Sequence, residues 1–84
     1  MDEDMKKILL TAVLRNEGNF YVALCPEAGT ASQGTTVNEA LENLRDATEL
    51  HLEDNADEVD WLENEQPIVT TFEVNIGETE PSLR

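Results

Sequence analysis

The strongest constraint in the sequence is a helix signal that begins at Thr36. Thr36 and Glu39 have the spacing of a capping box, in which the threonine oxygen accepts from a backbone N–H three residues on and the glutamate reaches back. Apolar residues then recur with the period of one buried stripe, over a helix of about 18 residues. The stripe consists of Val37, Ala40, Leu41, Leu44, Ala47, His51 and Leu52. The sequence therefore predicts one long amphipathic helix that needs an apolar surface beneath it.

Three short strands are predicted before this helix. Residues 7–14 and 20–25 are apolar runs rich in β-forming residues, and the Gly- and Asn-containing segment between them predicts a hairpin turn. Residues 26–29 stop the second strand because they contain proline and glycine. Residues 30–33 predict a third strand that ends at Gly34.

The faces of this sheet follow from the alternation of side chains along each strand. Phe20, Val22 and Leu24 share one face. The helix stripe is expected to cover one face of the sheet. The opposite face is less polar than a solvated face should be, so a second copy of the chain could cover it. It carries Leu9, Val13, Tyr21, Ala23 and Val69.

Residues 54–76 complete the predicted domain. The acidic segment 54–66 predicts a connection with one helical turn, in which Trp61 packs on the core. Residues 68–76 alternate apolar and more polar side chains and predict a last strand. The expected fold is α+β, in the order β-β-β-α-β, with a three-to-four-stranded, mainly antiparallel sheet and one helix on one face. Residues 1–77 form this single domain, and residues 78–84 are a flexible tail.

Charge limits the partners of the chain. Its 84 residues include 19 acidic and 5 basic side chains, for a formal net charge of −14. Such a chain repels phosphate, which argues against nucleic acid and anionic membranes and favours a basic partner. The excess is concentrated at residues 39–65, which hold 11 acids and one base, Arg45. The candidate partner-binding residues are Glu42, Asp46, Glu49 and Glu53. The alternative is adaptation to high salt, which also enriches acids.

Catalytic and metal sites are not indicated. His51, the one histidine, falls on or beside the helix stripe, and Cys25 follows a strand without a basic neighbour or a helix N-terminus to activate its thiol. The acids avoid the first two predicted strands, where a metal-dependent nuclease would need them. We therefore expect no enzyme, no cofactor and no bound metal. The short apolar runs predict neither a signal peptide nor a membrane span, so a cytoplasmic protein is expected.

One pattern is more specific than composition. Residues 26–43 read PEAGTASQGTTVNEALEN, after a hairpin that carries Gly18 and Phe20. This segment resembles the HicB-like antitoxin family, in which a proline and glycine end the second strand, a short S/T-Q-G strand follows, and T-x-x-E-A opens the helix. The likeness covers residues 7–76.

The resemblance implies a degenerate ribonuclease H-like domain that has lost the catalytic acids. It also implies an antitoxin that blocks a small basic HicA-like toxin, a ribonuclease acting on messenger RNA. Self-association as a dimer or tetramer is expected separately, because a chain this short buries only about 60% of its unfolded surface. Only eight residues follow Ile76, so a short member without the C-terminal DNA-binding segment is expected. The alternative is a solitary structural or small-ligand-binding domain without a toxin.

Overall fold

The structure, a computed structural model, describes residues 7–64 and 67–77. Three strands come first, β1 (Val13–Asn16), β2 (Tyr21–Cys25) and β3 (Thr30–Gly34). They form an open antiparallel sheet in the order β1-β2-β3. Two helices follow, α1 (Val37–Asp54) and α2 (Asp57–Asn64). The predicted α+β class is confirmed, with a three-stranded sheet in the described part of the chain.

The two turns of the sheet use the residues that the sequence offers for them. Gly18 has φ +92°, and its N–H donates to Asn16 Oδ1 at 2.9 Å. Gly29 has φ +73°, and its N–H donates to the carbonyl oxygen of Cys25 at 2.8 Å. Both conformations lie in the region that glycine adopts without a steric penalty. These turns place β1, β2 and β3 side by side.

The prediction of which face of β2 lies beneath the helix is wrong. Ala23 and Cys25 are buried beneath α1, whereas Leu24 is exposed on the other face. The reason is the close approach of the helix to the sheet, because a Cβ on Gly34 would lie 2.6 Å from the backbone nitrogen of Ala40. The small side chains of Ala23 and Cys25 fit directly beneath so close a helix, whereas the larger Leu14 and Tyr21 are partly buried and pack against this core.

Helix α1 starts as predicted, with a small difference in its cap. The Thr36 hydroxyl oxygen accepts from the Glu39 N–H at 3.0 Å. The Glu39 carboxylate reaches one residue further back than expected and accepts from the N–H and hydroxyl of Thr35. These bonds lower the pKa of Glu39. Ala40, Leu44 and Thr48 form the buried line of the helix.

Thr48 is a buried polar residue that the predicted stripe did not include. Its hydroxyl lies 2.7 Å from the hydroxyl of Thr30 on β3, so both groups are satisfied. A buried hydroxyl without a partner would be unfavourable. This pair joins the middle of α1 to the start of β3. Val37, which the stripe did include, is exposed.

The first strand is shorter than predicted. Residues 7–12 carry no strand, and β1 begins at Val13. The backbone N–H of Thr11 donates to the Glu27 carboxylate at 3.0 Å, and its hydroxyl donates at 2.7 Å. A side chain therefore takes the place of a neighbouring strand at this position.

The acidic connection forms a second helix instead of a single turn. The first turn of α2 contains Asp57, Glu58 and Asp60, and acids there interact favourably with the N-terminal end of the helix dipole. The predicted role of Trp61 is wrong, because Trp61 is 57% exposed. Leu62 is 3% exposed and holds α2 against the rest of residues 7–64, which are called the body below. Adjacent helical positions point in different directions, so only one of the two can face inward.

Residues 67–77, called the arm below, are the largest departure from the predicted fold. The described arm carries no strand, so the sheet has three strands and not four. Ile68 is 92% exposed and Phe72 is 86% exposed. Pro67 lines the same open pocket as Lys7 and Leu9, so the arm leaves the body on the side where the described chain starts. The predicted tail, 78–84, lies outside the described residues.

Candidate partner-binding surface

The four acids predicted from the sequence lie together on the outward face of α1. All four are exposed, and their spacing of three and four residues aligns them along one side of the helix. They lie opposite Ala40, Leu44 and Thr48, which face the sheet. This acidic stripe consists of Glu42, Asp46, Glu49 and Glu53. The structure brings the candidate residues onto one surface, and their role in binding stays a prediction.

Few positive charges lie near the acidic stripe. Arg45 Nη1 is 3.7 Å from a Glu42 carboxylate oxygen, and both side chains are exposed. Such an exposed pair contributes little to stability. Helices α1 and α2 together hold ten acids and only this one arginine. The helical side of the molecule is therefore a strongly negative surface, whereas residues 7–34 hold two bases and two acids.

His51 has a structural position, as its place in the helix pattern indicates. It is half-buried, and its Nε2 lies 3.2 Å from Glu58 Oε1, which joins α1 to α2. Asn55 reinforces the junction because its side-chain amide donates to the carbonyl oxygen of His51 at 2.8 Å. These contacts set the angle between the two acidic helices.

Cys25 belongs to the core. It is 2% exposed, and its thiol donates to Glu27 Oε1 at 3.6 Å. Burial alone would raise the pKa of Glu27, but hydrogen bonds from Thr11 and Cys25 outweigh it and lower that pKa. The predicted packing role of Cys25 is confirmed.

A groove runs along one side of α1, and the sequence pattern gave no sign of it. It has a volume of about 990 Å³ and lies between residues 7–12 and the helices. Leu10, Leu41, Leu52 and Val59 contribute apolar surface to it. The signal that a sequence could offer is the width of the apolar stripe, because Leu41 and Leu52 lie to one side of the line that faces the sheet. They remain partly exposed above the groove.

The described part of the chain has neither a metal-binding cluster nor a membrane-spanning helix. Within residues 7–64 and 67–77, no three His, Cys, Asp or Glu side chains are grouped so that they could hold a metal ion. None of the helices in those ranges is long and apolar enough to cross a membrane.

Comparison with known proteins gives one relative. The chain is 36% identical, over 69 residues, to a UPF0150 protein of Helicobacter pylori strain J99. The aligned region covers 80% of this chain and 96% of the relative. No protein-family model matches the chain, and no solved structure matches it significantly.

Proposed function

Because the chain belongs to the UPF0150 family, we propose that it is an antitoxin-like binding module that neutralises a small basic toxin by direct contact. The toxin would be a HicA-like ribonuclease that cleaves messenger RNA. The resemblance of residues 26–43 to HicB-like antitoxins supports this choice of partner. In this proposal the chain acts as a homo-oligomer, binds protein and does not bind nucleic acid or catalyse a reaction.

The acidic stripe on α1 is the observation that carries the proposal. An RNA-cleaving protein needs a positive surface to hold phosphates. A row of exposed carboxylates is negatively charged, as RNA is, so it can bind that positive surface in place of RNA. The ten acids of α1 and α2 also produce a long-range attraction that increases the association rate. Bound toxin would then be unable to reach its RNA.

The test combines capture with a functional assay. Tagged chain is expressed in its native cell, and proteins that bind it are identified by mass spectrometry. The expected result is a small basic protein whose cleavage of messenger RNA stops when the purified chain is added. Recovery of no basic protein, or of one whose RNA cleavage the chain leaves unchanged, contradicts the proposal.

A matched pair of variants locates the binding surface. The double variant Glu42→Lys/Asp46→Lys reverses two charges of the acidic stripe, and Asp57→Lys/Asp60→Lys reverses two exposed charges on α2. Both change the net charge from −14 to −10, since each substitution adds two units to the formal charge. We expect the first variant to lose at least tenfold in affinity for the captured protein and the second to lose less, because only the first changes the stripe. Equal losses would indicate a general charge effect and no specific surface.

The alternative, a solitary domain in which the acids reflect salt adaptation, has a separate test. Screening shortens the Debye length from about 10 Å at 0.1 M salt to about 3 Å at 1 M. A salt-adapted domain would need molar salt to fold, whereas an antitoxin-like domain would be folded at 0.1 M. Thermal unfolding followed by circular dichroism at both concentrations distinguishes them.

A further inference from the structure

We infer that the arm, residues 67–77, adds as a fourth strand to the free edge of β1 in a second copy of the chain, and that two copies exchange arms. This inference rests on the self-association included in the proposed function and identifies the residues that produce it. It does not involve a toxin.

The arm has the composition of a strand that is buried. Ile68, Thr70, Phe72, Val74 and Ile76 alternate with more polar neighbours, so an extended arm has one mostly apolar face. Glu73 is the only charged residue in these 11 residues, although 29% of the whole chain is charged. A solvated segment of so acidic a chain would be expected to share its charge. The apolar side chains are nevertheless exposed in the single copy.

Among the described residues, the β1 edge of the sheet is more open to a new strand than the β3 edge. At the β3 edge, the side-chain amide of Asn43 on α1 donates to the carbonyl oxygen of Gln33 at 2.8 Å. The start of α1 also packs directly against Gly34. At the other edge, β1 pairs only with β2 among the described strands. Strands with free backbone groups readily pair with another chain, so β1 is the acceptor.

The groove beside α1 provides a place for the apolar face of the arm. Asn43 shows that one side of α1 lies over β3, and Leu41 and Leu52 project from the opposite side above the groove. Residues 7–12, which carry no strand, form the opposite wall of that groove. A strand added beside β1 would lie between that wall and α1. Its apolar side chains would cover Leu41 and Leu52 and complete a four-stranded sheet.

Charge favours this contact over contacts through the helices. Two copies that met through α1 and α2 would bring ten acids on each copy together. The neutral arm and the sheet avoid that repulsion, since residues 7–34 hold as many bases as acids. Arg15 on β1 and Lys7 before it are also suitable neighbours for Glu73. Self-association of a chain with a net charge of −14 therefore proceeds best through the arm and β1.

The position of the arm makes exchange possible. Pro67 lines the same open pocket as Lys7 and Leu9, and the described arm makes no backbone hydrogen bond to any described strand. Eleven residues span up to about 36 Å when extended, whereas the four residues of β1 need about 13 Å. The arm is thus long enough to leave one copy and cover the β1 edge of another.

The direct test is isotope-filtered NMR on a mixed sample of the full chain. One half of the sample carries ¹⁵N and the other half carries ¹³C, so that filtered cross-peaks arise only between copies. We expect cross-peaks from methyl groups of Ile68 and Val74 in one copy to amides of β1 in the other. Arm contacts to β1 within the same copy, or a chain that stays monomeric at millimolar concentration, would overturn the inference.

A matched pair of variants tests whether the apolar face of the arm is buried in the dimer. Phe72→Glu and Thr71→Glu add the same charge at adjacent positions, on opposite sides of an extended strand. We expect the dissociation constant of the dimer, measured by analytical ultracentrifugation, to rise at least tenfold for Phe72→Glu and less than threefold for Thr71→Glu. A dimer that tolerates Phe72→Glu, or is equally weakened by both, contradicts burial of this face. Normal circular dichroism of both variants shows that the body remains folded.

Discussion

Residues 13–34 and the arm have similar strand patterns, but only the first region forms a sheet. In β1, β2 and β3 the backbone groups find partners in a neighbouring strand, and small side chains such as Ala23 pack beneath α1. In the arm, larger apolar residues such as Phe72 alternate just as regularly and stay exposed. An alternating pattern therefore indicates that one face will be buried, but it does not identify the strand that provides the partner.

Connection length explains the difference between the two regions. The turns at Gly18 and Gly29 are so short that each strand must return beside the preceding one. The arm follows two helices and begins at Pro67, where no such turn determines its neighbour. The connection therefore does not determine whether the partner strand of the arm belongs to the same copy or to another.

The sharpest contrast comes from removing one large apolar side chain that covers the sheet, on α1, and one from the arm. Leu44 is buried between α1 and the sheet, so Leu44→Ala should lower the free energy of unfolding by about 2–5 kcal/mol. Phe72→Ala should change it by less than about 0.5 kcal/mol in a dilute monomeric sample, because the ring is already in water. Urea denaturation of both variants measures the two values. Similar losses would mean that the arm packs on the body of its own copy.

A second contrast uses one added methyl group in each region. A Cβ at Gly34 would lie 2.6 Å from the Ala40 nitrogen and 2.9 Å from the Glu39 carbonyl carbon, whereas a Cβ at Gly77 meets no atom within 4 Å. Gly34→Ala should therefore cost about 1–3 kcal/mol through overpacking, and Gly77→Ala should be nearly neutral. Neither glycine has a positive φ, so the difference reports steric contact alone. Thermal unfolding of the two variants measures it, and equal effects would contradict the close approach of α1 to the sheet.

The local elements could be predicted from the sequence because each has a local cause. The cap at Thr36, the turn glycines and the start of β3 depend on residues within a few positions of one another. The helix period likewise placed the acidic stripe on one surface. These features follow from backbone geometry and side-chain spacing, which a sequence displays directly.

The remaining features depend on contacts between distant residues. The face of β2 that lies under α1 was decided by the close approach at Gly34, and the short length of β1 reflects a carboxylate, Glu27, 16 positions from Thr11. Leu62 and Trp61 are adjacent and both apolar, so only the packing of α2 decides which one is buried. The groove beside α1 forms between segments far apart in the chain, so the width of the helix stripe indicates an apolar surface there but not the groove itself.

The smallest expected contrast compares two glutamates as the pH changes. Glu27 accepts hydrogen bonds from Thr11 and Cys25, and these bonds hold its pKa below the usual value although burial alone would raise it. A carboxyl whose folded pKa is lowered stabilises the fold above its unfolded pKa, near 4.3, and loses this contribution as the pH falls through the folded pKa. Glu27→Gln should therefore cost about 1 kcal/mol or less at pH 7. The difference from the unmodified chain should shrink below about pH 4.3.

Glu73→Gln is the matched control for this effect, because it removes the same charge from the exposed arm. Urea denaturation at pH 7 and at several values between about 5 and 3 should show a shrinking difference for Glu27→Gln and no comparable trend for Glu73→Gln. A difference that stays constant with pH would mean that Glu27 contributes through packing and not through its charge. An equal trend in the control would assign the effect to the net charge of the chain, since the two substitutions share only that change.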